Sequence, residues 1–137
     1  MSDTERNDGH VEEVATWFDT RAKEWSDLYD EVRRVNDIVL IDRKDAAVAF
    51  MRGQLDPGAR ILDVGCGAGV TARDLVHAGF VVHGVDISQN MIDRAERRLA
   101  ESGAPPDSYL FTRADVLEAS LPAASFDGVV ALGFIQY

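Results

Sequence analysis

The sequence predicts an α/β fold built on a parallel βαβ unit, and three consecutive stretches carry that expectation. Ile61-Leu62-Asp63-Val64-Gly65-Cys66-Gly67-Ala68-Gly69 is a short apolar run that ends in an acid and then breaks into alternating glycines. Val70-Thr71-Ala72-Arg73-Asp74-Leu75-Val76 follows with helical spacing, and Phe80-Val81-Val82-His83-Gly84-Val85 is a second β-branched run ending at Asp86. Strand, glycine turn, helix and strand in this order open a nucleotide-binding unit. Glycines let the backbone approach a ligand, and the start of the helix offers free N–H groups to an anion.

Taken in order, residues 1–10 are polar and read as a disordered tail. From Val11, the residues Val14, Phe18, Ala22, Trp25, Tyr29 and Val32 recur at steps of three or four, which predicts an amphipathic helix with one buried face. A second helix is expected over about Asn36 to Gln54, with Asn36 as a cap and Phe50 and Met51 among the residues available for burial. Residues 11–55 together form an amino-terminal helical cap. Asp56-Pro57-Gly58 turns the chain into the first strand, Arg60 to Val64. Gly79 closes the helix after the glycine turn. Ser88 is the expected N-cap of a helix from Gln89 to Glu101, whose apolar face is Met91, Ile92, Ala95 and Leu99. The third strand is placed at Ser108 to Thr112, and the fourth at Phe126 to Leu132 after the loop Leu121-Pro122-Ala123-Ala124-Ser125.

Two features of the turn separate ligand classes. A dinucleotide fingerprint wants G-x-G-x-x-G, whereas Gly65, Gly67 and Gly69 give G-x-G-x-G, with Val70 where the third glycine would stand. Asp63, at the strand end just before the turn, repels a pyrophosphate and attracts a cation. Across the turn, a carboxylate at Asp86 can accept both hydroxyls of a ribose.

Asp63-Val64-Gly65-Cys66-Gly67-Ala68-Gly69, followed by Gly84-Val85-Asp86-Ile87-Ser88, resembles the first two motifs of the class I S-adenosylmethionine-dependent methyltransferases. The resemblance runs from about Ile61 to Tyr137. It implies a Rossmann-like, doubly wound sheet, half present here as strand order 3-2-1-4, with residues 56–137 as its cofactor-binding half. It implies S-adenosylmethionine as cofactor and direct transfer of a methyl group to a small-molecule acceptor. Asp63, Gly65, Cys66 and Gly67 would then line the turn side, Asp86 the ribose, and Ile87 the adenine face unless it is only a core residue. An acid followed by a free N–H complements adenine's amino group and ring nitrogen, and Asp115 and Val116 match that place; a lone loop acid is otherwise a turn residue or a cap. Gly133 is a candidate neighbour of the cofactor's ammonium. In similar enzymes an aromatic-rich helix lies over the pocket, and Tyr29 could then reach the methionine carboxylate; packing alone also explains that aromatic stripe. No residue is assigned as catalytic base.

Composition narrows the partners. Of the net charge of −10, −7 falls on residues 1–31, a surface that repels phosphate and disfavours nucleic acid. The sequence has no apolar run long enough to cross a bilayer and no secretory signal, so a cytoplasmic location is expected. Cys66 is the only cysteine and lies where the turn needs a small residue, so it reads as a filler rather than a nucleophile; His10, His77 and His83 share no ligand spacing, and no metal is expected. A fourth strand with an apolar open edge leads us to expect either a missing carboxyl-terminal half or a homo-oligomer. A nicotinamide-dependent oxidoreductase and a non-catalytic cofactor-binding half-subunit stand as the alternative readings.

Overall fold

The computed structural model describes residues 3–30, 35–122 and 124–132, without the side chains of residues 3–8, 25, 28–30 and 35–37. Two helices, α1 (Asp3–Asp30) and α2 (Val35–Gln54), precede a unit of β1 (Arg60–Val64), α3 (Val70–His77), β2 (Val81–Asp86), α4 (Gln89–Glu101), β3 (Tyr109–Arg113) and β4 (Gly128–Val130). The four strands are parallel and lie in the order β3-β2-β1-β4. This is the Rossmann-like order expected from the resemblance.

α1 begins at Asp3, so residues 3–10, read from sequence as a disordered tail, are helical. The physical reason is cooperativity: extending a helix that is already nucleated adds one hydrogen bond per residue fixed, so a polar leading segment continues the helix it joins. β4 is shorter than the expected Phe126 to Leu132. Its entry is instead a single clamp, in which Asp127 N–H donates to Arg60 O (2.7 Å) and Arg60 N–H donates to Asp127 Oδ2 (2.8 Å). The clamp sets the register Ile61 to Gly128 that begins the β1–β4 ladder.

The sheet packs unequally on its two faces. On one face Ile61, Val82 and Phe111 meet Leu75 and Val76 of α3, Ile92, Ala95 and Leu99 of α4, and Met51 of α2. Ile61, Leu75, Ala95 and Leu99 are fully buried. On the other, Leu62, Val64 and Val85 are covered by the chain between β3 and β4, through Ala114, Val116, Leu121 and Phe126. Leu110 and Val129 remain more than half exposed. α2 is tied to α3 by Lys44, buried except for 7 % of its surface, which pairs with Asp74 and, at 2.7 Å, with Asp45. Burial pulls the Lys44 ammonium down, yet these two carboxylates together hold it above its ordinary value.

α4 shows how local sequence fixes an element that the site depends on. Ser88 accepts from Met91 N–H at 3.2 Å, the expected cap, and Met91, Ile92, Ala95 and Leu99 are the buried face. No helix of the described residues is long and apolar enough to cross a membrane.

Candidate functional site

The strand tips and the glycine turn form one hydrogen-bonded unit at the carboxyl end of the sheet. Val85 O accepts from Gly65 N–H (2.8 Å) and Cys66 N–H (3.1 Å), which folds the turn back onto β2. Gly67 N–H donates to Asp86 Oδ2 and Ser88 N–H donates to Asp86 Oδ1, both at 2.9 Å. Asp86 therefore fixes both the turn and the start of α4. Its oxygens keep lone pairs for further donors, since each carboxylate oxygen accepts two. Gly67 has φ +54, and a Cβ there would meet nothing within 4 Å, so the turn has open space on that side.

Asp63 lies in register between Gly84 and Val130 and is 3 % exposed. Its Oδ2 is buried without a hydrogen-bond partner among the described residues. Burial, helped by the charge of Asp86, raises its carboxyl from 3.8 to about 7. The sequence expectation of a standing negative charge is thus sharpened: below about neutral pH the group is held protonated, and a cation beside it would ionise it. Burial also raises Asp86, opposed by the N–H groups of Ser88 and Gly67.

Burial, with Asp63 and Asp86 nearby, pushes the Cys66 thiol well above its ordinary range, so it supplies no thiolate, in keeping with a filler's place. Its neighbour Gly84 explains the fit. A Cβ at Gly84 would stand 2.5 Å from the Phe111 ring and 3.0 Å from Cys66 Cβ.

Asp115 and Val116 are carried to the same end of the sheet, because Ala114 N–H donates to Asp86 O at 2.9 Å. Asp115 Oδ1 accepts from Leu117 N–H (3.0 Å), the turn role its position allowed. The Val116 side chain packs against the second core face, and no backbone acceptor takes its N–H among the described residues. Ile87 is half-buried, and its carbonyl accepts from Arg113 Nε at 3.1 Å. Gly133 and the side chain of Tyr29 lie outside the described residues.

Sequence reasoning missed the residues that dock α1 beside this unit. Asp19 accepts from the Ser88 hydroxyl and from Asn90 N–H, and Arg98 reaches both Ser26 and Ala68. The available signal was polar residues at positions 19 and 26, seven apart, within an otherwise apolar stripe.

The buried acid gives a pH signature. The folded protein keeps the Asp63 proton that an unfolded chain releases near 3.8, so Asp63 makes stability fall as pH rises from about 4 to about 7. His83, lowered mainly by burial, acts with opposite sign below about 6.5, because folding disfavours its protonated form. Asp63→Asn removes only the first effect. Urea unfolding at pH 5 and pH 8 should show wild type losing stability relative to Asp63→Asn by on the order of a few kcal/mol. Parallel curves for the two proteins would contradict the burial argument.

Residues 61–137 match the family profile of a methyltransferase domain. This chain belongs to the class I S-adenosylmethionine-dependent methyltransferases. Over 136 residues the methyltransferase chain is 33% identical to a ubiquinone biosynthesis O-methyltransferase of Alkalilimnicola ehrlichii, covering 99% of this chain and 53% of that protein. Over 122 residues it is 30% identical to the enzyme of the same name from Paracidovorax citrulli, covering 88% of this chain and 48% of that one. The magnesium protoporphyrin IX methyltransferase of Synechocystis, solved with bound SAM, superposes with a TM-score of 0.76 at 25% identity, over 88% of this chain and 60% of that one. The methyltransferase chain spans about half the length of the curated relatives it matches.

Proposed function

We propose that this methyltransferase domain binds S-adenosylmethionine between the glycine turn and the tips of β1 to β3, and serves the methylation of a small-molecule acceptor. The observation that carries the reading is the buried, unpartnered Oδ2 of Asp63 beside an open glycine turn. A buried polar atom without a partner costs roughly 1–3 kcal/mol and calls for a donor or a cation. The residues present fit the cofactor: Asp63 answers positive charge on the methionine end, Asp86 has acceptor capacity for the ribose, and Asp115 with the Val116 N–H complements adenine. Gly65, Cys66 and Gly67 provide the close backbone wall, with Ile87 at the adenine face. Gly133 and Tyr29 belong to the reading as candidates from the sequence.

When bound, the cofactor supplies an electrophilic methyl group, so the chain's own residues have to bind, orient and exclude water. α1 and α2, residues 11–55, serve as the cap in this reading, and α1 docks directly against the turn through Ala22 and Ala68. The acidic amino-terminal surface argues for a small-molecule rather than a nucleic-acid substrate. A cytoplasmic setting belongs to this reading as the expectation from the sequence.

Calorimetry distinguishes this reading from the nicotinamide alternative. S-adenosylhomocysteine should bind with one-to-one stoichiometry while NADH gives no heat of binding; the reverse pattern would overturn the reading. Below pH 7 the binding heat should also vary with the ionisation enthalpy of the buffer, because Asp63 gives up its proton as a cation arrives. Heats independent of the buffer would remove Asp63 from the site.

A further inference from the structure

α1 is fastened along α4 at two points separated by two helical turns. At the first, the Ser88 hydroxyl and Asn90 N–H donate to the Asp19 carboxylate, the latter at 3.3 Å, and Asn90 Nδ2 donates to Asp19 O at 2.9 Å. At the second, Arg98 Nη2 donates to the Ser26 hydroxyl at 2.9 Å. Ala22 lies between them and packs with Ala68 and Met91. Positions 19, 22 and 26 fall on one helical face, so the two helices run side by side in the same direction.

Arg98 has a second contact that Asp19 lacks. Its Nε donates at 3.0 Å to the carbonyl of Ala68, the residue between Gly67 and Gly69. One guanidinium therefore holds a backbone carbonyl of the glycine turn and a buried hydroxyl of α1, which is 6 % exposed. The guanidinium is planar and its donors are fixed relative to one another, so a change in the direction of the Ala68 carbonyl changes the fit at Ser26.

We propose that Arg98 is a positioning residue that couples the shape of the glycine turn to the docking of α1, so that filling the cofactor site tightens the helix over it. The inference rests on the S-adenosylmethionine reading above. Coupling of this kind is reciprocal: whatever fixes the turn favours the docked helix, and the docked helix favours the bound turn.

Both tryptophans of the chain, Trp17 and Trp25, lie in α1, so intrinsic fluorescence reports on that helix. Wild type, Ser26→Ala, Arg98→Gln and Arg98→Lys are titrated with S-adenosylhomocysteine, with calorimetry for affinity, tryptophan emission for α1 and thermal melting as the folding control. Wild type should bind with a change in emission. Arg98→Gln should bind roughly tenfold more weakly and lose that change, and Ser26→Ala should lose it with a smaller cost in affinity of roughly threefold. Arg98→Lys keeps the charge and its donors but loses the fixed fork that ties the direction of the Ala68 carbonyl to the fit at Ser26, so affinity should recover while the emission change does not. A wild-type emission change in Ser26→Ala and Arg98→Gln would overturn the coupling, as would losses of affinity that merely follow losses of melting temperature. Failure of wild type to bind S-adenosylhomocysteine would instead overturn the cofactor reading itself.

Discussion

Asp86→Ala lowers the affinity for S-adenosylhomocysteine by at least about 100-fold, because it removes two kinds of interaction at once. Each hydrogen bond to a charged acceptor is worth roughly 1.5–3 kcal/mol, and two ribose hydroxyls are the proposed donors. The same substitution frees Gly67 N–H and Ser88 N–H, both now held at 2.9 Å by this carboxylate, and so loosens the turn that must meet the ligand. Asp86→Asn separates the contributions. An amide keeps one acceptor but turns an NH2 group toward an N–H donor, so an intermediate loss of roughly tenfold is expected. Ligand-free stability should fall as well, because two N–H groups lose their acceptor, although relief of a buried charge offsets part of that loss. Affinity within threefold of wild type in Asp86→Ala would remove Asp86 from the ribose site.

The strands and the helix after the glycine turn were legible because local chemistry and tertiary packing agree there. Ser88 caps and Gly79 terminates, and the bounds of α4 match the sequence pattern residue for residue. Asp63 and Asp86 were legible as residues but not as acids of altered strength, because that depends on the three-dimensional burial of one beside the other. β4 was overestimated for a similar reason: the largely apolar stretch from Phe126 to Leu132 reads as a strand, while the ladder exists only where β1 offers partners. The roles of Asp19, Ser26 and Arg98 depend on contacts across 69 to 72 residues of sequence, which no local pattern encodes. What did give them away in principle was polarity within an apolar stripe, a feature that sequence alone assigns equally well to the solvated side.

Gly69→Ala is expected to unfold the protein at a temperature lower by roughly 10 °C, and the contrast with Gly67→Ala tells why. Both glycines have positive φ, +80 and +54, so each alanine meets the left-handed penalty of roughly 1–2 kcal/mol. Their surroundings differ. A Cβ at Gly69 would stand 2.9 Å from both Cα and Cβ of Ala95 and 3.3 Å from Leu99 Cδ2. Ala95 and Leu99 are fully buried on α4, and a backbone atom cannot swing aside, so α4 must move off the turn. Overpacking of that kind costs a further roughly 1–3 kcal/mol, and a domain of this size loses about 2–8 °C of melting temperature per kcal/mol. Gly67→Ala meets open space, so only the backbone penalty remains and its melting temperature should fall by roughly 5 °C, about half as far, yet its methyl group occupies the proposed approach to the turn and should weaken S-adenosylhomocysteine binding. Circular dichroism melts and calorimetry on the two variants read these effects independently. If Gly69→Ala melted with wild type, the close contact between turn and α4 would not be what the glycine is for; if Gly67→Ala bound as wild type does, the open side of the turn would not be the side the ligand uses.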